Sequence, residues 1–107
     1  MKRVLFICGR GRSRSPTAAQ LFADWPGVAT DFAGVSPDAD DVLSADQLDW
    51  ADVIMVMEQR HRTRLSEGYR GALKGRAVIN LAIPDRYTFM DAALIALLKE
   101  RAGPHLQ

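Results

Sequence analysis

The sequence of 107 residues has few of the side chains that stabilise small proteins through cross-links or metal ions. It contains one cysteine, Cys8, and two histidines, His61 and His105. A single cysteine cannot form an intramolecular disulfide, and these three residues are too few for a multi-cysteine zinc site. We therefore expect no structural metal and no cofactor.

Long apolar runs are also missing. The apolar stretch near the N-terminus, residues 4–7, is far shorter than the ~20 residues of a membrane helix, and too short for the core of a signal peptide. We therefore expect a cytoplasmic protein with no membrane segment. The length suits one domain spanning residues 1–107.

Two sequence signals of nucleotide or nucleic-acid binding are absent. No Gly-x4-Gly-Lys-Ser/Thr segment occurs, which excludes a Walker loop. Arg10, Arg12 and Arg14 form a basic cluster, but no aromatic residue interleaves with them and the net charge is only +1. We expect no nucleic-acid partner, and a small anion attracted to the arginines is the alternative.

Apolar periodicity predicts strands that alternate with helices. Predicted strands cover residues 3–7, 28–35, 53–57 and 77–82. Helices are predicted after an N-cap at Ser15 with Pro16 in the first helical position, after a capping box at 44–47, over 58–69, and from an N-cap at Asp91 to Gly103. This alternation predicts an α/β fold, a single-domain open doubly wound parallel four-stranded sheet with helices on both faces.

The segment between the first strand and the first helix contains the residues with the clearest chemistry. Cys8 is followed after five residues by Arg14 and then Ser15. Glycines let such a loop curl with its amides inward, and a helix N-terminus attracts phosphate. The same setting favours the thiolate of Cys8, while the Arg14 guanidinium can hold two phosphoryl oxygens and the Ser15 hydroxyl can donate to the sulfur.

A nucleophilic cysteine also needs a proton donor for the group that leaves. Asp85 follows the predicted fourth strand, and the carboxyl ends of parallel strands open on one edge of the sheet. We therefore expect Asp85 near Cys8. A turn role after Pro84 is the alternative for this aspartate.

The residues just described resemble a known family. Residues 8–16, Cys-Gly-Arg-Gly-Arg-Ser-Arg-Ser-Pro, are similar to the Cys-x5-Arg-Ser-Pro signature of the low-molecular-weight protein tyrosine phosphatases, which also lies at the N-terminus. Residues 84–91 resemble the aspartate loop of a compact bacterial branch, and the likeness covers essentially the whole chain.

The resemblance implies a phosphomonoester hydrolase that works through a phosphocysteine intermediate on Cys8. Asp85 protonates the leaving group and then activates water, and Ser15 supports the thiolate. Implied partners are a phosphorylated protein or small phosphomonoester as substrate and inorganic phosphate as product. The residues implied to bind phosphate are Gly9, Arg10, Gly11, Arg12, Ser13 and Arg14.

The chain departs from the family pattern at four places. Gly11 replaces an asparagine that braces the loop, so we expect a more mobile loop, and Ser13 replaces a second cysteine that protects the nucleophile. Arg86 stands where a proline usually follows the acid. Residues 36–37 stand where a tryptophan wall is common, which leaves Tyr87 or Phe89 to supply an aromatic wall for the substrate.

Two other functions are compatible with such a loop. A non-catalytic module could bind phosphate or a phosphoprotein for regulation. An arsenate reductase would need further cysteines, which this chain lacks. His61, on a polar helix, is expected to be solvated rather than functional.

Overall fold

A parallel sheet of four strands forms the centre of the protein in the computed structural model, which describes residues 1–107. The strands are β1 (Lys2–Cys8), β2 (Val28–Gly34), β3 (Val53–Val56) and β4 (Ala77–Asn80). Their order across the sheet is β2-β1-β3-β4, and every neighbouring pair is parallel. The predicted α/β sheet is therefore confirmed.

Helices cover both faces of the sheet. They are α1 (Arg14–Phe22), α2 (Ala45–Trp50), α3 (Gln59–Gly68), α4 (Arg70–Leu73), α5 (Ala92–Arg101) and α6 (Gly103–Leu106). Alternate side chains of a strand point to opposite faces, so Phe6 packs with Phe22 and Leu98, whereas Leu5 packs with Leu65 and other residues of a second core cluster. None of the helices has the length and apolar character needed to cross a membrane.

The start of α1 differs from the prediction. Helix α1 begins at Arg14 with Ser13 as its N-cap, so the predicted N-cap at Ser15 is wrong. Pro16 is therefore the third helical residue. The N–H groups of the first helical turn have no acceptor within the helix, so the lack of an N–H in proline costs no hydrogen bond there. The Ser15 hydroxyl lies 3.1 Å from the sulfur of Cys8 instead of capping the helix.

The other element ends follow local hydrogen bonds. The capping box of Ser44 and Gln47 and the N-cap at Asp91 are confirmed. Strand β4 ends at Asn80 rather than at residue 82, because Ala82 has a φ of 54° that no strand residue adopts. The Asn80 side chain accepts the Ala82 N–H at 2.9 Å, which fixes this turn.

Two short helices were not predicted. Helix α4 follows α3 directly after Tyr69, and α6 follows α5 after Ala102. Pro104 lies in the first turn of α6, a position that proline favours, rather than marking the end of all helical structure. Neither helix alters the edge of the sheet at which the strands have their carboxyl ends. The reactive residues lie at that edge.

Candidate active site

The sulfur of Cys8 lies at the carboxyl end of β1 and is surrounded by hydrogen-bond donors. Cys8 is buried, the Gly11 N–H donates to its sulfur at 3.2 Å, and the Ser15 hydroxyl is 3.1 Å away. The same hydroxyl lies 3.4 Å from the Ala33 carbonyl. When the sulfur is a thiolate, the hydroxyl can turn from the carbonyl to the sulfur, so two donors stabilise the negative charge.

The loop from Cys8 to Arg14 packs backbone to backbone against the end of β2. Gly11 has a φ of +69°, a left-handed conformation that favours glycine. Gly34 sits so close to the loop that a Cβ there would lie 2.7 Å from both the Gly9 oxygen and the Arg10 carbonyl carbon. The site therefore needs glycine at residue 34 because a side chain would push the loop away.

The segment after β2 braces this loop from outside. Three of its backbone N–H groups donate to loop carbonyls, and two ion pairs join its aspartates to loop arginines. The bonds are Val35 to Cys8 (3.0 Å), Ser36 to Gly9 (2.9 Å) and Asp40 to Arg10 (3.2 Å), and the pairs are Arg10–Asp38 (3.2 Å) and Arg12–Asp40 (3.0 Å). These contacts hold the loop against the segment that follows β2.

Asp38 of this brace is held in its charged form. A hydrogen bond from the Ser36 hydroxyl, followed by the charge of Arg10, lowers the pKa of the Asp38 carboxyl below its ordinary value. Both ion pairs are exposed to solvent, so each one contributes little to stability by itself. The backbone bonds therefore do most of the bracing.

Arg14 is a buried cation that is fixed on one edge and unpartnered on the other. Its side chain is 2% exposed, and its Nη1 donates to Glu58 Oε2 at 2.6 Å and to the Ile83 carbonyl at 2.8 Å. Its Nε has no hydrogen-bond partner and lies 3.8 Å from Asp85 Oδ1. Because a buried N–H normally has an acceptor, this edge of Arg14 is suited to an incoming anion.

Glu58 is a residue of the site that the sequence reasoning missed. It follows β3 and accepts hydrogen bonds from Arg14 and from Arg60, the latter at 3.0 Å. Burial raises the pKa of Glu58, but the hydrogen bonds from Arg14 and Arg60 outweigh that effect and the pKa lies below its ordinary value. Its place directly after a buried strand, at the same sheet edge as Cys8, was the signal available in the sequence.

His61 is buried beneath the loop, so the expectation that it would be solvated is wrong. The ring is 2% exposed, and its Nδ1 accepts the backbone N–H of Glu58 at 3.1 Å. Burial, and then the positive charge of Arg14, lower the pKa of His61 to about 4. The polar pattern of α3 misled the prediction because the side chain turns back to cap its own helix.

The phosphate-binding loop, Arg60 and Asp85 enclose a polar cavity of about 280 Å³. Cys8 is the one hydrophobic residue in its lining. The lining residues are Cys8, Gly9, Arg10, Arg12, Ser13, Arg14, Ser36, Arg60 and Asp85. The structure therefore brings together the thiol, the arginine and the aspartate that were predicted to meet.

The loop that carries Asp85 is attached at both ends. The Ile83 N–H donates to the Met57 carbonyl at 2.8 Å, and the Met90 N–H donates to the Thr17 hydroxyl at 2.9 Å. The Asp85 side chain is 62% exposed, so it reaches both the cavity and solvent. A carboxyl group in this position can exchange protons with water between reaction steps.

The two candidates for an aromatic wall do not line the cavity. Tyr87 is partly buried and packs against the core cluster that contains Phe6, whereas Phe89 is half-exposed. No other aromatic residue takes their place in the lining. The cavity therefore presents charged and polar groups to whatever it binds.

Solved structures share this fold, although the sequences have diverged. The arginine phosphatase YwlE from Geobacillus stearothermophilus is 22% identical with a TM-score of 0.72, and covers 98% of this chain and 95% of its own. Wzb from Vibrio vulnificus, in complex with benzylphosphonate, is 20% identical with a TM-score of 0.79, and the match covers 98% of this chain and 97% of Wzb. A low-molecular-weight protein tyrosine phosphatase from Streptococcus pyogenes is 14% identical with a TM-score of 0.80, and the match covers 99% of this chain and 91% of that phosphatase.

This likeness confirms the fold that the resemblance implied. The overlap extends over nearly the full length of this chain and of each of the three structures. Neither the family models nor the curated proteins give a match to the sequence. The chemistry of the site therefore has to be argued from its own residues.

Proposed function

We propose that the protein hydrolyses phosphomonoesters through a phosphocysteine intermediate on Cys8. The observation that carries this proposal is the position of Arg14. Its guanidinium is buried in the wall of the cavity that contains Cys8, with Nη1 held by Glu58 and with Nε unpartnered. A phosphate dianion in this cavity would supply the missing acceptor and would lie against the loop amides.

The first chemical step forms a bond between sulfur and phosphorus. The Cys8 thiolate attacks the phosphorus atom, the bond to the leaving oxygen breaks, and Asp85 gives its proton to that oxygen. Arg14 and the loop amides stabilise the charge on the three equatorial oxygens. The ion pair between Arg14 and Glu58 keeps the guanidinium in place during this step.

The second step releases inorganic phosphate. Asp85, now a carboxylate, takes a proton from a water molecule, which attacks phosphorus and breaks the sulfur–phosphorus bond. The thiolate that leaves is stabilised by the hydroxyl of Ser15 and the amide of Gly11, both of which lie near the sulfur. No metal ion is needed for either step in this scheme.

The substrate we propose is a small phosphomonoester or a phosphorylated protein side chain. Relatives in fold are named for tyrosine and arginine phosphatase activity, so the fold accommodates more than one leaving group. The polar lining here offers no aromatic wall for a phenyl ring. We place the reaction in the cytoplasm, where a reducing environment keeps a lone nucleophilic thiol intact.

Hydrolysis of para-nitrophenyl phosphate tests this proposal. Wild type, Cys8→Ser and Asp85→Asn are compared from pH about 4.5 to 8, a range that brackets general acid–base catalysis by a carboxyl group. We expect Cys8→Ser to lose turnover and Asp85→Asn to fall by about 10²–10⁴-fold. Binding of phosphate or vanadate by a wild type that shows no turnover would instead support a non-catalytic phosphate-binding module.

A further inference from the structure

A second cleft adjoins the catalytic cavity on the side of helix α3. We name it the α3 cleft, and its volume is about 430 Å³. It shares Gly9, Ser36 and Arg60 with the catalytic cavity, so the two spaces are neighbours at the edge of the phosphate-binding loop. A substrate with its phosphoryl group on Cys8 has room to extend into this cleft.

The α3 cleft contains a buried hydrogen-bond donor that lacks an acceptor. His61 lines the cleft, and its Nε2 has no partner in the structure. Its Nδ1 accepts the N–H of Glu58, so the neutral ring carries its proton on Nε2. The nearest carboxylate oxygen, Glu58 Oε2, lies 3.8 Å away, too far for a hydrogen bond.

The backbone of Gly9 lies next to this buried donor. A Cβ at Gly9 would lie 3.7 Å from His61 Nε2, in ordinary van der Waals contact with it. The absence of a Cβ at residue 9 therefore leaves a small space beside the imidazole edge that a side chain would fill. A buried donor without an acceptor is unfavourable, and a ligand oxygen placed there would correct it.

The charges of the α3 cleft favour an anion as the source of that oxygen. Arg60 and Arg64 both line it, and Arg64 forms no ion pair or hydrogen bond of its own. Glu67 is the one acidic residue in the lining and opposes an anion. Arg60 is already paired with Glu58 at 3.0 Å, so the groups of the cleft that would attract an anion are the unpaired Arg64 and the imidazole N–H.

We infer that the α3 cleft is a subsite for a second anionic group, a carboxylate or a phosphate, carried by the leaving group of the substrate. This inference rests on the proposed phosphatase function, since it concerns the same bound molecule. It names the substrate class as phosphomonoesters with an additional acidic group. An oxygen of that group accepts from His61 Nε2, while Arg64 supplies the positive charge.

Affinity measured with non-hydrolysable ligands tests the subsite. The ligands are arylphosphonates with a carboxylate at the meta or para position of the ring. The carboxylate is attached directly or through one or two methylene groups. Each ligand is titrated calorimetrically into the full chain. The matched ligands replace the carboxylate with a neutral carboxamide. We expect at least one carboxylate to bind about two- to fivefold more tightly than its carboxamide, which is the effect of a partly exposed ion pair.

Two charge-removing variants should change the carboxylate preference in opposite directions, and a third serves as the control. We expect Arg64→Gln to remove the preference for the carboxylate and Glu67→Gln to increase it. Arg70→Gln is the matched control, because Arg70 lies outside the cleft and forms no ion pair. Equal affinity for carboxylate and carboxamide throughout the series, or equal effects of Arg64→Gln and Arg70→Gln, would overturn the subsite.

A spectroscopic readout reports on the imidazole itself. The chain has two histidines, and both are labelled when ¹⁵N-histidine is incorporated. His105 then serves as an internal reference for His61. We expect the Nε2 resonance of His61 to move further with the carboxylate ligand than with the unsubstituted phosphonate. An unmoved resonance would contradict contact with His61.

The proposed function and the subsite fail in different ways. Turnover of phenyl phosphate by wild type tests the hydrolase reaction without involving the α3 cleft. Turnover without any carboxylate preference overturns the subsite alone. A carboxylate preference without turnover overturns the hydrolase reaction. The protein would then bind anions at two neighbouring sites without catalysis.

Discussion

Glu58 Oε2 lies 2.6 Å from Nη1 of Arg14, a residue 44 positions earlier in the chain. The contact joins the first residue of α1 to the residue that caps α3, across the carboxyl edge of the sheet. Nη1 is held by Glu58, whereas Nε has no hydrogen-bond partner and lies 3.8 Å from Asp85 Oδ1. Arg14 is therefore preorganised for an anion before any ligand arrives.

The variant Glu58→Gln removes the negative charge but keeps the shape. We expect kcat/KM for para-nitrophenyl phosphate to fall about ten- to a hundredfold, because a hydrogen bond to a charged group contributes ~1.5–3 kcal/mol. Steady-state kinetics measure the effect. Glu100→Gln, an exposed substitution of the same kind on α5, is the control. Equal activities of the two variants would show that Glu58 does not position Arg14.

The buried His61 makes stability depend on pH in a defined window. In the unfolded chain the histidine binds a proton with its ordinary pKa of 6.5, whereas in the folded protein its pKa is about 4. Between these values the unfolded state binds more protons, so the free energy of unfolding falls as the pH falls. The slope approaches ~1.4 kcal/mol per pH unit when one proton is involved.

The variant His61→Gln removes that slope between pH 6.5 and 4. Urea unfolding at several pH values measures it, with the exposed His105→Gln as control. The groups with charges that act on His61 are Arg14, Glu58, Arg60 and Asp85, and all four remain in the variant. A wild type and His61→Gln with parallel pH profiles would refute the buried neutral imidazole.

Substitution of Gly34 by alanine tests the close packing of β2 against the phosphate-binding loop. In Gly34→Ala the new Cβ would lie 2.6 Å from the Ala39 side chain and 2.7 Å from the loop backbone. We expect a loss of ~1–3 kcal/mol in the free energy of unfolding, typical of overpacking, together with weaker phosphate binding. In Gly71→Ala, the control, the added methyl group meets nothing within 4 Å. Equal stability of the two variants would mean that the loop yields without cost.

Ala82 offers a substitution that should stabilise the protein. Its φ of 54° is a left-handed conformation that costs an L-residue ~1–2 kcal/mol, and its side chain is exposed. We expect Ala82→Gly to raise the midpoint of urea unfolding. Ala96→Gly, in the exposed middle of α5, should lower it, because glycine weakens a helix interior. A lowered midpoint in both variants would argue against strain at Ala82.

The parts of the fold that were predictable depend on local patterns. The buried apolar run of β1, the capping box at Ser44 and the N-cap at Asp91 are each determined by neighbouring residues, and the structure has all three. The order of Cys8, Arg14 and Asp85 along the chain, combined with parallel strands, was enough to bring them to one cavity.

What was not predictable depends on contacts between distant residues. The hydrogen bond of Glu58 to Arg14, the burial of His61 and the bracing of the loop by residues 35–40 all join separate parts of the chain. The predicted N-cap at Ser15 was wrong, although the expected contact of its hydroxyl with the sulfur of Cys8 is present at 3.1 Å. Tyr87 was considered for a wall, yet its ring packs against the core instead.

Trapping the covalent intermediate tests the central claim most directly. Para-nitrophenolate leaves without needing a proton, so Asp85→Asn should form the phosphoenzyme readily and hydrolyse it slowly. We expect acid quenching followed by mass spectrometry to show one added phosphoryl group on the peptide with Cys8, the only cysteine, and none in a Cys8→Ala sample. Turnover by wild type with no phosphoryl group on Cys8 in either enzyme would contradict the phosphocysteine mechanism.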